Sequence, residues 1–306
     1  MAGMSHRPQE VLRERVDGGI AELVRDVDRP RAWTLLVGGT AQSHVDLDDP
    51  LYLEFDYMRR FGSIADLIAP AGAPVRALHL GGGGLTLARY IAATRPGSAQ
   101  LAVDSDAPLV ELVRRALPIA QPARKAGRAD AGRVRVRVGD ARTVLEHLGQ
   151  ACFDLVIADL FVGGSTAAHL TSAEFTTAVA RVLTPGGVYA VNIGDGPPLA
   201  HARSRVSAAR CSFRHTCLIA DSAVLKGRRF GNLVLAASGQ ALPIAGLDRR
   251  TAADPFPARL MYGPELDKFT AGAMPITDSR PEPSPLPPPD FFTGKVTALR
   301  SADRWR

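Results

Sequence analysis

VRALHLGGGGLTLARYIAATRPGSAQLAVD, residues 75–104, is the segment from which we predict the fold. An apolar run meets the four glycines 81–84, a helical stretch follows to about Thr94, and a second apolar run ends on Asp104. This order of strand, glycine turn, helix, strand and acid suits a ligand that contains adenosine. Glycines allow close approach of the backbone, the helix start offers free N–H groups, and the carboxylate can accept both ribose hydroxyls. A single glycine loop has low specificity, so alone it indicates only a nucleoside-type cofactor.

The composition allows one large domain, or a main domain with an appendage, because the chain has 306 residues of which 46% are hydrophobic. No apolar run is long enough to span a bilayer, and the N-terminus MAGMSHRPQEVLRER lacks the apolar region of a secretory signal. We therefore expect a cytoplasmic protein without a membrane partner. Cys152, Cys211 and Cys217 have no metal or redox spacing, which indicates reduced thiols and no metal site.

The net charge of +6 raises the question of a nucleic-acid partner, since several arginines and a lysine cluster between residues 124 and 137. No aromatic residues are interleaved with this basic cluster, and no nucleic-acid-binding motif is present. A solvated loop and strand edge explain the charges better. The expected partner is a small-molecule substrate and not a nucleic acid.

The first part of the chain is expected to hold an N-terminal helix in residues 1–30 and a β-hairpin with a connecting helix in residues 31–70. The apolar positions that favour the helix are Val11, Val16, Ile20, Leu23 and Val24. Two extended runs flank Gly38-Gly39, which is a good hairpin turn. This hairpin forms a small N-terminal domain that offers a dimer surface, so we expect a homodimer.

Strand and helix patterns alternate through residues 71–240. The nearly continuous apolar run 153–161, FDLVIADLF, is typical of a central parallel strand. The last two strands, 213–219 and 231–237, lie too close in sequence for a crossover helix and should pair antiparallel. The prediction is an α/β fold with a doubly wound, mostly parallel, Rossmann-like sheet that ends in an antiparallel β-hairpin. The proline-rich residues 241–306 are expected to form an extended wrap or a partly disordered tail.

The assembled motifs resemble the class I S-adenosylmethionine-dependent methyltransferase fold over roughly residues 75–238. The matching motifs are LHLGGGG (78–84), LAVDSD (101–106), VGDA (138–141), FDLVIADLF (153–161) and LTPGGVYAVNI (183–193). Within that fold the chain is most similar to spermidine synthases, the polyamine aminopropyltransferases. The segments that carry this resemblance are GGTAQSHVDLDDPLYLEF (38–55), GGGGLTLAR (81–89) and PFPARLMYGPELDKF (255–269). The resemblance implies S-adenosylmethionine or its decarboxylated form as cofactor, and no metal.

The same resemblance assigns candidate site residues. The candidates for cofactor binding are Gln42, Gly81, Gly82, Gly83, Asp104, Asp140 and Ala141. Among them Asp104 would hold the ribose and Asp140 the adenine, while the glycines would make room for the amino-acid or aminopropyl end. Asp159 ends a buried strand at the binding edge of the sheet, and with Tyr52 it would contact the reacting nucleophile.

Three positions depart from the family pattern, and each lost group would have faced an amine. A family Asp of the glycine loop falls on Gly84, the presumed base falls on Val162, and the residue between the family Tyr and Glu falls on Leu53. A cationic diamine needs carboxylates to bind it, and one nitrogen must lose a proton before it attacks. The sequence therefore predicts a retained cofactor half and a modified amine site.

Several functions stay open at this point. The first is a spermidine-synthase-like transferase with a modified amine site. The second is a methyltransferase that acts on a non-polyamine small molecule, and the third is a non-catalytic nucleoside-binding homologue. A nicotinamide dehydrogenase fits less well, because the third glycine of its fingerprint falls on Thr86.

Overall fold

Two β-sheets organise the computed structural model, which describes residues 10–119, 132–289 and 291. A four-stranded N-terminal sheet precedes an eight-stranded sheet that carries helices on both faces. The strands of the described residues are β1 (Val11–Val16), β2 (Gly19–Arg25), β3 (Ala32–Val37), β4 (Thr40–Asp46), β5 (Arg76–Leu80), β6 (Ala99–Asp104), β7 (Val134–Val138), β8 (Phe153–Ala158), β9 (Leu183–Asp195), β10 (His215–Ala220), β11 (Gly231–Ser238) and β12 (Arg259–Tyr262).

The helices follow the strands in the expected alternation from β5 onward. They are α1 (Asp56–Leu67), α2 (Thr86–Thr94), α3 (Ala107–Ala116), α4 (Ala141–Glu146), α5 (Ala173–Val182), α6 (Ala200–Arg210), α7 (Ser222–Leu225), α8 (Ile244–Ala252) and α9 (Gly263–Thr270), with a 3-10 turn at Ala168–Leu170. Ser172 caps α5, as expected, by accepting the N–H of Phe175. No helix in the described ranges has the length and apolarity needed to cross a membrane.

The eight-stranded sheet confirms the predicted fold class. Its strand order is β12-β10-β11-β9-β8-β5-β6-β7, with parallel pairing from β9 through β7. The predicted antiparallel pair is β10 and β11, which begins with His215 opposite Ser238. Because the carboxyl ends of parallel strands meet at one edge, the segments after β5, β6, β7 and β8 converge there. The candidate site lies at this edge.

The predicted N-terminal helix is wrong, because residues 11–25 form a β-hairpin. The two-residue turn Asp17-Gly18 joins β1 to β2, with Val16 paired to Gly19. Ala21 and Leu23 are buried two residues apart, which is the spacing of a strand face. The Asp-Gly pair is a strong hairpin signal that outweighs the irregular apolar spacing. Residues 1–9 of that predicted helix lie outside the described residues.

The predicted hairpin around Gly38-Gly39 is confirmed, and it adds β3 and β4 to the N-terminal sheet. Both glycines have positive φ angles, 57° and 78°, which such a turn requires. Several hydrogen bonds join this sheet to the rest of the molecule. Gly18 N–H donates to Asp106 at 2.9 Å, and Gly84 N–H donates to Ser43 Oγ at 2.9 Å.

The predicted C-terminal wrap is only partly right. Residues 241–306 include α8, β12 and α9, and β12 extends the large sheet antiparallel to β10, so β11 is not the last strand. An extended segment follows, in which Ser284 N–H donates to the Thr166 carbonyl and the Ser284 hydroxyl accepts from Thr166 N–H. Its end, residues 290 and 292–306, lies outside the described residues, as do residues 120–131 with part of the basic cluster.

Candidate functional site

The glycine bend after β5 brings two loops into very close contact. Gly81 has φ of +89°, and a Cβ built on it would lie 2.1 Å from the carbonyl oxygen of Asp159. No side chain fits between these backbone segments. Gly81 is therefore the residue that lets the ends of β5 and β8 meet.

Asp104 lies directly against this bend. Its Oδ2 accepts the N–H groups of Gly82 at 2.8 Å and Gly83 at 3.1 Å, and its Oδ1 accepts the N–H of Asp106 at 3.0 Å. A carboxylate with two oxygens has further acceptor capacity for a ligand. The structure therefore brings the Asp104 carboxylate and the glycine turn into contact, as the sequence predicts.

The N–H groups of the four glycines are all bonded within the protein, whereas the predicted free N–H groups belong to the start of α2. Gly81 N–H donates to the Val103 carbonyl, those of Gly82 and Gly83 to Asp104, and that of Gly84 to Ser43 Oγ. A bend whose N–H groups are all bonded within the protein offers no ready site for an anionic group.

A large cavity of about 370 Å³ opens along this edge of the sheet. The predicted site residues that line it are Gln42, Gly81, Gly82, Gly83, Asp104, Asp140, Ala141 and Asp159. The N-terminal sheet completes the wall with Asp17, Gly18 and Ser43. Side chains that are more than a hundred positions apart in the sequence therefore meet in one cavity.

The charge of the large cavity is entirely negative in the part of the chain that is described. Its lining has five carboxylates, Asp17, Asp104, Asp106, Asp140 and Asp159, and neither a lysine nor an arginine. This contrasts with the net charge of +6 for the whole chain. Such a lining favours a cationic ligand and disfavours a phosphate-bearing one.

Asp140 has a structural role in addition to its place in the wall. It caps α4 by accepting the Thr143 N–H at 2.9 Å, and its Oδ2 lies 2.8 Å from His169 Nε2. Burial acts to raise its pKa, but the hydrogen bonds from His169 and Thr143 hold the pKa below the ordinary value. The carboxylate is therefore ionised at neutral pH.

Asp159 is the most perturbed carboxylate of the site. Burial raises its pKa to about 6, although hydrogen bonds from Asn192 and Tyr57 act in the opposite direction. Asn192 Nδ2 donates to Asp159 Oδ1 at 3.0 Å. A carboxylate with a pKa near neutrality is suited to accept a proton from a reacting group.

The structure places Tyr52 away from the cavity. Its hydroxyl donates to Glu54, the Arg29 guanidinium lies 3.6 Å from its ring centre, and His44 contacts the ring edge-on at 5.5 Å. Burial and the Glu54 hydrogen bond raise the pKa of Tyr52 to about 12. Tyr52 lines neither of the two cavities described here. Its proposed contact with the nucleophile stays a prediction that this position does not support.

A small cavity of about 70 Å³ adjoins the large one and was not foreseen from the sequence. Gln42, Asp159 and Phe161 line both cavities, so Asp159 lies where they meet. The aromatic residues of the small cavity are Phe55, Tyr57, Phe161, Phe230 and Phe291. Asn192 and Asn232 supply amide groups to the same wall.

Tyr57 is the functional candidate that sequence reasoning missed. It lies in the first turn of α1, and its hydroxyl hydrogen-bonds to Asp159 about a hundred residues later in the chain. Asn192 was quoted in the LTPGGVYAVNI motif but only as a strand residue. Neither residue lies in a sequence motif that would mark it as functional. Each contacts Asp159 only because the folded chain brings distant segments together.

The three departures from the family pattern have structural explanations. A Cβ on Gly84 would lie 2.9 Å from Ser43 Cβ and 2.9 Å from Val45 Cγ2, so the N-terminal sheet fills that space. Val162 pairs with Ser165 in a tight turn, and 68% of Val162 is exposed at the rim of the large cavity. Leu53 is buried in the core, with 4% exposed.

No group of three or more histidine, cysteine, aspartate or glutamate side chains is placed to hold a metal ion in the described part of the chain. Asp104 is bonded to backbone N–H groups, Asp140 to Thr143 and His169, and Asp159 to Asn192.

Comparison with known proteins supports the fold and the family that the sequence motifs predict. Residues 56–213 match the sequence profile of the spermine/spermidine synthase domain. No curated protein matches the chain in sequence. The crystal structure of a probable spermidine synthase from Corynebacterium glutamicum superposes with a TM-score of 0.79 at 32% identity, covering 89% of this chain and 97% of that one.

Two more distant solved structures share the fold. Spermidine synthase from Thermotoga maritima has a TM-score of 0.55 at 17% identity, covering 88% of this chain and 82% of that one. A spermidine synthase in complex with the transition-state analogue AdoDATO has a TM-score of 0.54 at 16% identity, covering 88% and 85%. At these identities the likeness concerns the fold alone.

Proposed function

The chain belongs to the spermine/spermidine synthase family, and from this premise we propose that it transfers an aminopropyl group from decarboxylated S-adenosylmethionine to an amine. The observation that supports this most strongly is the charge of the large cavity, whose described lining has five carboxylates and no lysine or arginine. The decarboxylated donor carries a positive sulfonium and a protonated amine and has no carboxylate. It therefore complements an all-acidic wall better than a nicotinamide dinucleotide with its phosphates does.

The hydrogen bonds of the glycine bend favour the decarboxylated donor over S-adenosylmethionine itself. The carboxylate of S-adenosylmethionine needs N–H groups or a cationic side chain as partners. The N–H groups of the four glycines are already bonded to Val103, Asp104 and Ser43. The glycine bend therefore suits a donor whose end is an amine.

The residues of the large cavity fit such a donor. Asp104 has spare acceptor capacity for the ribose hydroxyls, and Asp140 can accept from the adenine. Gly81 to Gly83 leave room for the aminopropyl end, since they present no side chains to the cavity. When bound, the donor supplies a carbon attached to a positive sulfur, which leaves as a neutral thioether when a nitrogen attacks that carbon.

Asp159 is the residue we assign to proton removal. It lies at the junction of the two cavities, where a nucleophile in the small cavity can reach a donor in the large one. An alkylammonium must lose one proton to attack, and Asp159 with a pKa near 6 is ionised at neutral pH and can accept that proton. Tyr57 and Asn192 hold the carboxylate in place through their hydrogen bonds.

Product analysis with both donors tests this function. The protein is incubated with S-adenosylmethionine or its decarboxylated form in the presence of primary amines, and the nucleoside products are identified. We expect methylthioadenosine and an aminopropylated amine from the decarboxylated donor alone. S-adenosylhomocysteine from S-adenosylmethionine would instead indicate the methyltransferase alternative, and a failure of both donors to bind would contradict the whole assignment.

A further inference from the structure

The small cavity contains a buried polar atom that the proposed proton transfer does not use. Asn192 is 5% exposed, its Nδ2 donates to Asp159, and its Oδ1 has no hydrogen-bond partner in the protein. A buried amide oxygen without a donor costs free energy. Asn192 lines the small cavity, but Oδ1 itself is covered by protein atoms, so the amide must shift slightly before this oxygen can accept from a ligand N–H group there.

Asn192 Oδ1 and the Asp159 carboxylate together form a site for one nitrogen. Both groups are acceptors, and an alkylammonium has three N–H donors to share between them. Two acceptors in one cavity suit an ammonium better than a hydroxyl or thiol ligand, each of which has a single hydrogen to donate. The recognised end of the acceptor is an amine.

The remainder of the small cavity does not supply a partner for a second charge. Asp159 is the one carboxylate of its described lining. Phe230 and Phe291 pack edge to face, with ring centres 5.1 Å apart, so the edge of one ring covers a face of the other. Asn232 offers only a neutral amide. A second ammonium buried here would lose its water without gaining a counter-charge, which is strongly unfavourable.

We propose that the small cavity accepts a compact primary monoamine with an apolar body and discriminates against diamines. This inference rests on the proposed aminopropyl transfer and names its acceptor class. The amine end is bound by Asp159 and Asn192, and the apolar body lies against the phenylalanine side chains. In the transfer, the nitrogen forms the new C–N bond, the C–S bond electrons leave with sulfur, and the displaced proton passes to Asp159.

A binding experiment at pH 8 tests the acceptor class without relying on turnover. The full-length protein is saturated with methylthioadenosine, and n-butylamine or 1,4-diaminobutane is then titrated by calorimetry. These ligands have the same chain length and differ by one amine. We expect n-butylamine to bind at least tenfold more tightly. Equal or tighter binding of the diamine would show that the rings hold the second ammonium and would overturn the proposal, as would binding of neither amine.

Asn232→Asp adds a carboxylate of nearly the same shape to the small cavity. We expect this variant to improve diamine binding relative to monoamine binding by at least tenfold. Gln240→Glu, which adds a charge outside both cavities, is the matched control and should leave the ratio unchanged. An unchanged ratio in Asn232→Asp, with a normal melting temperature, would overturn the proposal.

The binding of methylthioadenosine, which precedes the amine titration, separates this inference from the proposed function. If methylthioadenosine does not bind, the proposed function fails and the acceptor inference falls with it. If it binds and the diamine is preferred, the aminopropyl transfer stands and only the acceptor class is wrong.

Discussion

The large and small cavities share Asp159 but are built from different parts of the chain. The large cavity is formed mainly by the segments that follow β5, β6, β7 and β8, and Gly81, Gly82 and Gly83 of the glycine bend are part of its wall. The small cavity combines β4, the start of α1, the central strands β9 and β11, and the end of the C-terminal segment. The first is acidic and roomy, the second aromatic and narrow. We assign the donor to the first cavity and the amine acceptor to the second.

The largest effect is expected from Asp159→Asn, which removes the proton acceptor at the junction. We expect kcat for amine alkylation to fall by about 10³-fold, the range for loss of a general base, with methylthioadenosine affinity changed less than threefold. Asp154→Asn is the matched control, because Asp154 lies at the opposite end of β8. Equal losses in both variants, measured in steady-state kinetics, would argue against a role for Asp159 in the chemistry.

Gly81→Ala tests whether the ends of β5 and β8 lie too close together to admit a side chain at position 81. The added methyl would meet the Asp159 carbonyl at 2.1 Å in a left-handed backbone conformation, so we expect about 3 kcal/mol less stability. Gly72→Ala, with φ of +72° and no atom within 4 Å of its Cβ, should cost only about 1 kcal/mol. Urea denaturation measures both, and similar losses would contradict the contact.

The pH dependence of stability sharpens the contrast between Asp159 and the other acids. Its pKa is raised from 3.8 to about 6, so its contribution to stability is fully present below pH 3.8 and is lost as pH rises through about 6. Asp159→Asn removes a carboxylate that is buried in its charged form. We expect the variant to be more stable than the wild type by about 2 kcal/mol at pH 8, with no gain at pH 4. Denaturation at both pH values decides this, and a pH-independent difference would mean that Asp159 is not the perturbed group.

The smallest effect concerns Asp104→Asn, which alters the large cavity alone. One charged acceptor of the ribose hydroxyls is lost, so we expect methylthioadenosine to bind about tenfold more weakly. Amine binding to the nucleoside-saturated variant should not change, because Asp104 does not line the small cavity. Calorimetry gives both affinities. A parallel loss of amine affinity would show that the two cavities are not independent.

Local sequence patterns were sufficient for the large sheet and for much of its cavity. Strand periodicity, four consecutive glycines and the acid at the end of β6 all act within about thirty residues, so they can be recognised along the chain. The N-terminal helix was wrong because the apolar spacing was given more weight than the Asp17-Gly18 turn. The domain boundaries, the cytoplasmic location and the homodimer stay predictions.

The sequence by itself determined the Rossmann-like sheet and the positions of Gly81 and Asp104, because these depend on backbone conformation and short-range order. Only the tertiary structure revealed that Tyr57 and Asn192 meet Asp159, that Tyr52 lies elsewhere, and that aromatic side chains line the small cavity. Those contacts join segments separated by tens to hundreds of residues. Such contacts follow from strand order and packing, and no local pattern encodes them.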